Sequence, residues 1–445
     1  MPTTAIVWYR RDLRVHDHPA LATAVREYDR VVPLFVLDPV LLEREPYRSP
    51  RRAGYMFSCL RALDGELRER GARLFVREGD PRAEVPRIAD ELGAEAVLWA
   101  SDVSPYARRR DRAVTEALGN RARPQPGNYI ADVGRIRTGE GNPYTVFSPF
   151  HRSWLRADRR PVQRAPRQIA VPPRLAAGRL PAGTHADIAG EAAARAAARR
   201  WLAGPVERYE ALHDRVAGGT SQLSPHLRWG TLSPRALEEH AERREAFRRQ
   251  LAWRDFYAHV MLFDLGSRRA DPPWDADEDG ALLAAWQDGR TGYPLVDAGM
   301  RQLAETGWMH NRARLVTGAF LTKDLHLDWR LGERHFARLL LDGEPAQNNG
   351  NWRWIASVGV DPAPPARRMY NPALQQRRHD PDGAYVRRWV PELADVPDAR
   401  LAEPWTMTED EQRAANCLIG RDYPAPIVDH AVERRRALEL YGGGR

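Results

Sequence analysis

The chain has 445 residues, 43% of them hydrophobic, more than one compact core accommodates, which predicts two domains. Sixty-eight basic against 60 acidic residues give a formal charge of +8 and a pI of about 9.7, a balance that favours a polyanionic partner. Two cysteines, Cys59 and Cys417, exclude a disulfide framework and a four-cysteine metal or iron–sulfur site, and no apolar run is long enough for a membrane span.

The N-terminus, MPTTAIVWYRRDLR, opens on a strand-like segment with no basic-then-apolar signal, so the cytoplasm is the expected location. Arginine supplies nearly all the positive charge, as in Arg108-Arg109-Arg110 and Arg434-Arg435-Arg436. Its planar fork suits phosphate, although a coding bias toward arginine has the same appearance. From residue 5 to about 130, strand and helix alternate. Apolar, β-branched runs at 5–9, 31–37, 73–76 and 96–100 are separated by helical patterns at 19–28, 51–70, 82–92 and 105–118. That order predicts a parallel sheet covered by helices, the Rossmann-like α/β class, with ligands beyond the carboxyl ends of the strands. No Gly-x-Gly-x-x-Gly follows a strand, so the dinucleotide fingerprint is missing.

Proline, glycine and arginine crowd residues 131–190, which read as an interdomain linker. From 191 to 445 helix-length amphipathic runs dominate, and an all-helical second domain is expected. Gly218-Gly219 leads into Thr220, Ser221, Gln222, Leu223, Ser224 and Pro225. Such a turn suits phosphate binding, or equally a helix start capped by Ser224. Gln250, Trp253, Arg254 and Tyr257 share one helical face. An amide, an indole and a guanidinium together suit a nucleobase, while a solvated rim with one packed tryptophan fits the same pattern. His310 reads as a capping or core histidine. Arg314 is a candidate partner for Asp342 or Glu344. In DGEPAQNNGNWRWIAS, helical spacing puts Asn348 and Trp352 on one face and Trp354 on another. No Ser–His–Asp set, P-loop or HExxH is present, so conventional hydrolysis has no visible candidate.

Taken together, VWYRRDLRVHDHPAL, GTSQLSPHLRWG, QLAWRDFY, GYPLVDAGMRQLAETGWMHNRARL, LDWRLGERHF, DGEPAQNNGNWRWIASVG and YNP resemble the DNA photolyase/cryptochrome family. They run in family order across nearly the whole chain and look most like the class I, bacterial-type cyclobutane pyrimidine dimer (CPD) photolyases. The resemblance implies an antenna domain at 1–130, a linker at 131–190, and a helical FAD- and DNA-binding domain at 191–445. It implies a flavin pocket from Tyr209, Thr220, Ser221, Gln222, Leu223, Ser224, Trp253, Arg254, Arg314, Asp342, Glu344 and Asn348, the last facing flavin N5. Trp352, Trp329 and, by a looser match, Trp274 resemble an electron relay. Gln250, Trp253, Asn311, Arg312, Trp354 and Gln375 resemble the lesion pocket. Arg10, Arg11, Asp38, Arg52 and Asp102 resemble an antenna site, with 8-hydroxy-5-deazaflavin favoured over methenyltetrahydrofolate or FMN.

Two departures bear on the lesion. CPD photolyases of this class usually have Glu at Gln250 and Met at Leu315. The (6-4) photolyases often have Gln at the first position but need histidines where this chain has Asn311 and Leu315. Without that acid the (6-4) reaction lacks its proton donor, so the expected function is CPD repair in UV-damaged DNA by a monomer, with (6-4) repair or a cryptochrome photosensor as the alternative.

Overall fold

The structure is a computed structural model, and it describes residues 2–45, 48–173, 175–266, 271, 279–360 and 365–442. Five strands, β1 (Thr4–Tyr9), β2 (Arg30–Leu37), β3 (Phe75–Glu78), β4 (Ala96–Ala100) and β5 (Ala122–Gln125), pair in the order β3-β2-β1-β4-β5, all parallel. β1 is central and wholly buried. Its side chains alternate between two cores, as the pleat requires. Ala5, Val7 and Tyr9 enter one, while Ile6 and Trp8 enter the other. Helices Pro19–Glu27, Pro50–Arg68, Pro81–Glu91 and Pro105–Leu118 connect the strands, each with Pro in its first turn and a side chain capping its N-terminus. The α/β reading of the first part is therefore borne out. β5, Ala-Arg-Pro-Gln, was not foreseen: it is a short edge strand holding a proline and no apolar run.

The chain forms two compact units. Unit one comprises 1–207, 221–264 and 341–347; unit two comprises 208–220, 265–340 and 348–445. Residues 131–190, expected as a linker, lie within unit one. Their helix Phe147–Arg156 buries Phe147, Phe150, His151 and Trp154 on one face. Beyond that helix the extended chain is tied down by backbone bonds, Val31 N to Ala170 O and Ile169 N to Arg70 O, both 2.8 Å. The apolar side chains, masked in sequence by the surrounding Pro and Arg, make this segment structural. Later parts of unit one are helical, among them Ser224–Trp229 and Glu245–Leu262. Unit two is built of helices around a core that includes Trp286, Leu295, Met300, Phe320, Phe336, Trp352 and Tyr385. No described helix is long and apolar enough to cross a membrane.

Asp255, on helix Glu245–Leu262, fastens the former linker region. It is fully buried, accepts from Trp154 Nε1 at 2.9 Å and takes the backbone N–H groups of Ile130 and Ala131, both at 3.1 Å. Burial pushes its carboxyl up, and these donors oppose the shift. Asp255→Ala leaves three buried N–H groups without an acceptor, at about 1–3 kcal/mol for each such group. The expected outcome is a much lower urea midpoint for the variant, with the largest loss of amide-exchange protection at 130–131.

Candidate functional site

At the carboxyl ends of the strands, the side chains expected to form an antenna site are heavily engaged with one another. Arg10 takes both oxygens of Asp111, at 2.6 and 2.7 Å, and its guanidinium lies 4.7 Å from the Trp8 ring. Arg11 pairs with Asp102 at 2.7 Å and Glu344 at 2.7 Å, and donates to Tyr129 Oη at 2.5 Å. Asp38 accepts from Val40 N at 3.0 Å and from the Tyr106 hydroxyl. Burial pushes the Arg52 guanidinium down to about 10. A cavity of about 840 Å³ opens past the ends of β4 and β5, lined by Asp102, Gln125, Ile130, Val133, Arg156 and Arg160 among others.

The glycine turn is tightly constrained. Gly219 has φ +81°, and a Cβ there would lie 2.4 Å from Leu212 O. Gln222 is left-handed at φ +51°. The Ser221 hydroxyl accepts from Leu223 N at 3.4 Å. Helix Ser224–Trp229 begins with Leu223 as its N-cap and no side-chain cap bond. Ser224 is thus the first helical residue rather than the cap. The cap residue, Leu223, has no polar side chain to close the helix start, so the expected Ser224 cap does not form.

On helix Glu245–Leu262, Gln250 is exposed and Trp253 half-buried. The Trp253 indole stacks on Phe147 with centroids 3.7 Å apart and planes 6° apart. Arg254 is buried and donates to two carbonyls, Asn128 O at 2.7 Å and Leu227 O at 3.3 Å. Its own carbonyl accepts from Gln347 Nε2 at 2.8 Å. Asp342 is buried in the same unit. Glu344, expected among the cofactor ligands, has its oxygens on Arg11 and, at 2.9 Å, on Gln347 N. Burial would raise its pKa, but the guanidiniums of Arg11, Arg254 and Arg228 hold it below the ordinary value.

Unit two holds the remaining set. His310 caps helix Asn311–Ala319, its Nδ1 accepting from Arg312 N at 3.1 Å; burial pushes it down to about 4, so it is neutral, as expected of a capping histidine. Asn311 is exposed, and Arg312 is held by Asp214 at 2.5 Å. Arg314 Nε donates to Met309 O at 2.8 Å. Burial raises the Tyr209 phenol, so it stays protonated at neutral pH. The Oε1 atom of half-buried Gln375 is buried without a hydrogen-bond partner among the described residues.

Helix Pro345–Ile355 begins in unit one and continues in unit two from Asn348. Asn348 Nδ2 donates to Glu333 O at 3.0 Å. This bond fixes the amide and leaves its Oδ1 as the end suited to a ligand N–H. Trp352 is 3% exposed. Its indole contacts Phe336 at 5.0 Å and Trp286 at 6.2 Å, both edge-on. It lies against Gly332, where a Cβ would come within 2.1 Å of the ring. Trp329, also 3% exposed, starts helix Trp329–Leu339, which Asp328 caps. Trp354 is half-buried, with the Arg368 guanidinium over its ring. Trp274, the third expected relay residue, lies outside the described residues.

Phe147, Trp286, Gly332 and Arg368 were not foreseen as parts of the site. Trp286 stands in AWQDGRTGYP, and Arg368 in an arginine pair. Both could be seen in sequence, but nothing indicated what they touch. Phe147 and Gly332 carry no local signal, because their roles are contacts with residues 106 and 20 positions away.

With this geometry established, the comparisons with known proteins identify the class. The family model for DNA photolyase matches residues 5–168, and that for the FAD binding domain of DNA photolyase matches residues 247–443. The fold and site are thus those of a flavoprotein with an N-terminal sheet region and a C-terminal cofactor region. A deoxyribodipyrimidine photo-lyase from Streptomyces griseus is 43% identical over 467 residues, covering 98% of each chain. The crystal structure of a class III photolyase from Agrobacterium tumefaciens, 33% identical, aligns with a TM-score of 0.92 over 100% of this chain and 98% of that one. A Synechocystis cryptochrome structure, 27% identical, aligns at 0.89 over 99% of both. The chain belongs to the DNA photolyase family.

Two tests follow from these contacts. Gly332→Ala forces the Trp352 indole to move, and overpacking of this kind costs about 1–3 kcal/mol; a lower denaturation midpoint with a shifted tryptophan emission is expected. Glu344 has a folded pKa below its unfolded one, so its contribution is complete above the unfolded value of about 4.3 and is lost as pH falls through the folded one. Glu344→Gln should lose about 3–5 kcal/mol at neutral pH, because Arg11 then loses a charged partner in a buried site. Its stability should also fall less steeply below pH 4 than that of the parent, as measured by urea unfolding across pH.

Proposed function

We propose that this chain binds UV-damaged DNA and uses light to split cyclobutane pyrimidine dimers, as a deoxyribodipyrimidine photo-lyase. The observation that carries this reading is the end-to-end, 43% identity to the Streptomyces griseus protein of that name. The side chains fit the cofactor by their chemistry. The Thr220–Ser224 turn offers hydroxyls and a helix start without a side-chain cap to a diphosphate. Asn348 is fixed with an oxygen available to a ring N–H. Arg314 supplies a cation and Asp342 a carboxylate of the kinds that would flank a flavin ring. Light-driven donation and return of an electron is the chemistry that reduced FAD supplies when bound, and the protein orients and insulates it.

The rest is the work of this chain's own residues. Extruding the dimer costs about a few kcal/mol, less for a damaged base than an intact one, a step for which photolyases are themselves a type case. Trp253, held flat on Phe147, and Trp354 are the walls that stack on the pyrimidines. Gln250 and Asn311 are exposed amides that hold pyrimidine carbonyls without offering a proton. Gln375 lends an acceptor. Arg312, braced by Asp214, faces phosphate. Trp352 and Trp329, both buried, would hold the relay positions through which an electron could reach a bound flavin. A second, light-harvesting chromophore belongs at the strand ends around Asp38, Arg52 and Asp102. An 8-hydroxy-5-deazaflavin is favoured, with methenyltetrahydrofolate or FMN as alternatives, and the protein acts as a monomer.

A photosensor of the cryptochrome type is the second reading, favoured by the likeness to the Synechocystis structure. One experiment separates the two: chemically reduced protein is illuminated with CPD-containing DNA and, in parallel, with (6-4) DNA. Loss of the CPD alone is expected; binding without turnover on either substrate sinks the repair reading. Within that assay, Trp352→Phe should impair photoreduction but spare repair by pre-reduced protein. Trp354→Ala should weaken lesion binding roughly tenfold, by about 1–3 kcal/mol of stacking, and leave photoreduction intact.

A further inference from the structure

Trp352 and Trp354 are two positions apart on one helix and so point about 200° away from each other. Their surroundings differ in charge. Trp352 is packed by Phe336 at 5.0 Å, Trp286 at 6.2 Å and the bare Cα of Gly332. These contacts are neutral, and the Trp286 Nε1 proton is already committed to Thr317 O at 3.0 Å. Trp354 instead carries a guanidinium. The Arg368 Cζ is 4.2 Å from its ring centroid, and Arg368 Nη1 donates to Trp354 O at 2.7 Å. Arg368 is 2% exposed, so little water screens that charge.

We infer that Arg368 makes Trp354 a poor electron donor, confining one-electron oxidation on this helix to Trp352. The inference rests on the relay and pocket-wall roles proposed above. Oxidising an indole removes one electron and leaves a radical cation, which later releases its Nε1 proton. A fixed guanidinium over the ring favours the neutral indole through its quadrupole and repels the cation. The rings of Phe336 and Trp286 against Trp352 are polarisable and tolerate a positive charge. A wall tryptophan beside a lesion would otherwise compete to donate its own electron. Arg368 is in this sense a positioning residue: it acts through Trp354 and sets which of the two tryptophans on this helix gives up an electron.

The test has two arms. In the first, the full chain without cofactor is exposed to azide radical, which accepts one electron to become azide, and oxidised tryptophans are mapped by mass spectrometry. Arg368→Met should raise oxidation at Trp354 by about tenfold or more, while Arg368→Lys, which keeps the cation, stays near the parent. N-bromosuccinimide, whose two-electron attack follows access, is the control and should change less than about twofold at Trp354. Equal oxidation in parent and Arg368→Met, or a parallel rise with both reagents, overturns the inference. Should Arg368→Met unfold, Arg368→Gln keeps a donor to Trp354 O and is judged by the same criteria. In the second arm, flavin-loaded Trp352→Phe is flashed and the transient absorbance of a tryptophan radical is followed. No such signal is expected unless Arg368→Met is added, and a Trp354 radical in Trp352→Phe alone refutes the inference. If Trp352→Phe leaves photoreduction unchanged, the relay role fails, and the azide arm still decides the role of Arg368.

Discussion

Unit one depends on a buried guanidinium. Arg11, at the end of β1, is shut away from water and is paired with Asp102 after β4 and with Glu344, while Tyr129 accepts a further hydrogen. A buried arginine is tolerable only when its donors are met, so the fold has to bring these segments to one point. That requirement accounts for the discontinuity of the unit, whose last piece, 341–347, comes from far along the chain. The same piece carries Asp342, and it starts the helix on which Asn348, Trp352 and Trp354 are mounted. A structural ion pair therefore sets where the functional helix begins.

Along that helix, each functional side chain is fixed by a neighbour of a different kind. A carbonyl holds the Asn348 amide, a glycine admits the Trp352 ring, and a guanidinium covers Trp354. Trp253 on the other unit is held by a fourth device, a flat aromatic stack. None of these supports is itself a reactive group. They limit rotamer freedom, and the electron-transfer role proposed for these side chains needs fixed geometry more than proton donors and acceptors.

Much of the fold was legible because periodicity and caps were strong. The runs at 5–9, 31–37 and 96–100 are strands within a residue of the expected limits, and the proline-started helices between them appear where the pattern put them. β5 escaped because an edge strand needs no apolar repeat. Residues 131–190 looked like a linker because Pro and Arg dominate the count, whereas three aromatic side chains on one helical face decide the packing. For the site, residue types pointed to function and contacts did not. Glu344 looked like a ligand and is an ion-pair partner and helix anchor. Arg254 looked free to meet a substrate and spends its donors on two carbonyls. Phe147 and Gly332 are ordinary letters in the sequence whose importance exists only across distance.

The separation of Arg11 and Glu344 by 333 positions also has a meaning in time. At about 5–20 residues per second, the ribosome makes Glu344 roughly 17–67 s after Arg11. The last strand, β5, is made after about a third of that interval, and for the remainder the guanidinium at the end of β1 lacks one of its two carboxylates. Until then Asp102 and Tyr129 are the partners available to Arg11 from the N-terminal region. Its last electrostatic contact waits for most of the chain, and a product ending before residue 344 lacks one of the two carboxylates that pair with Arg11.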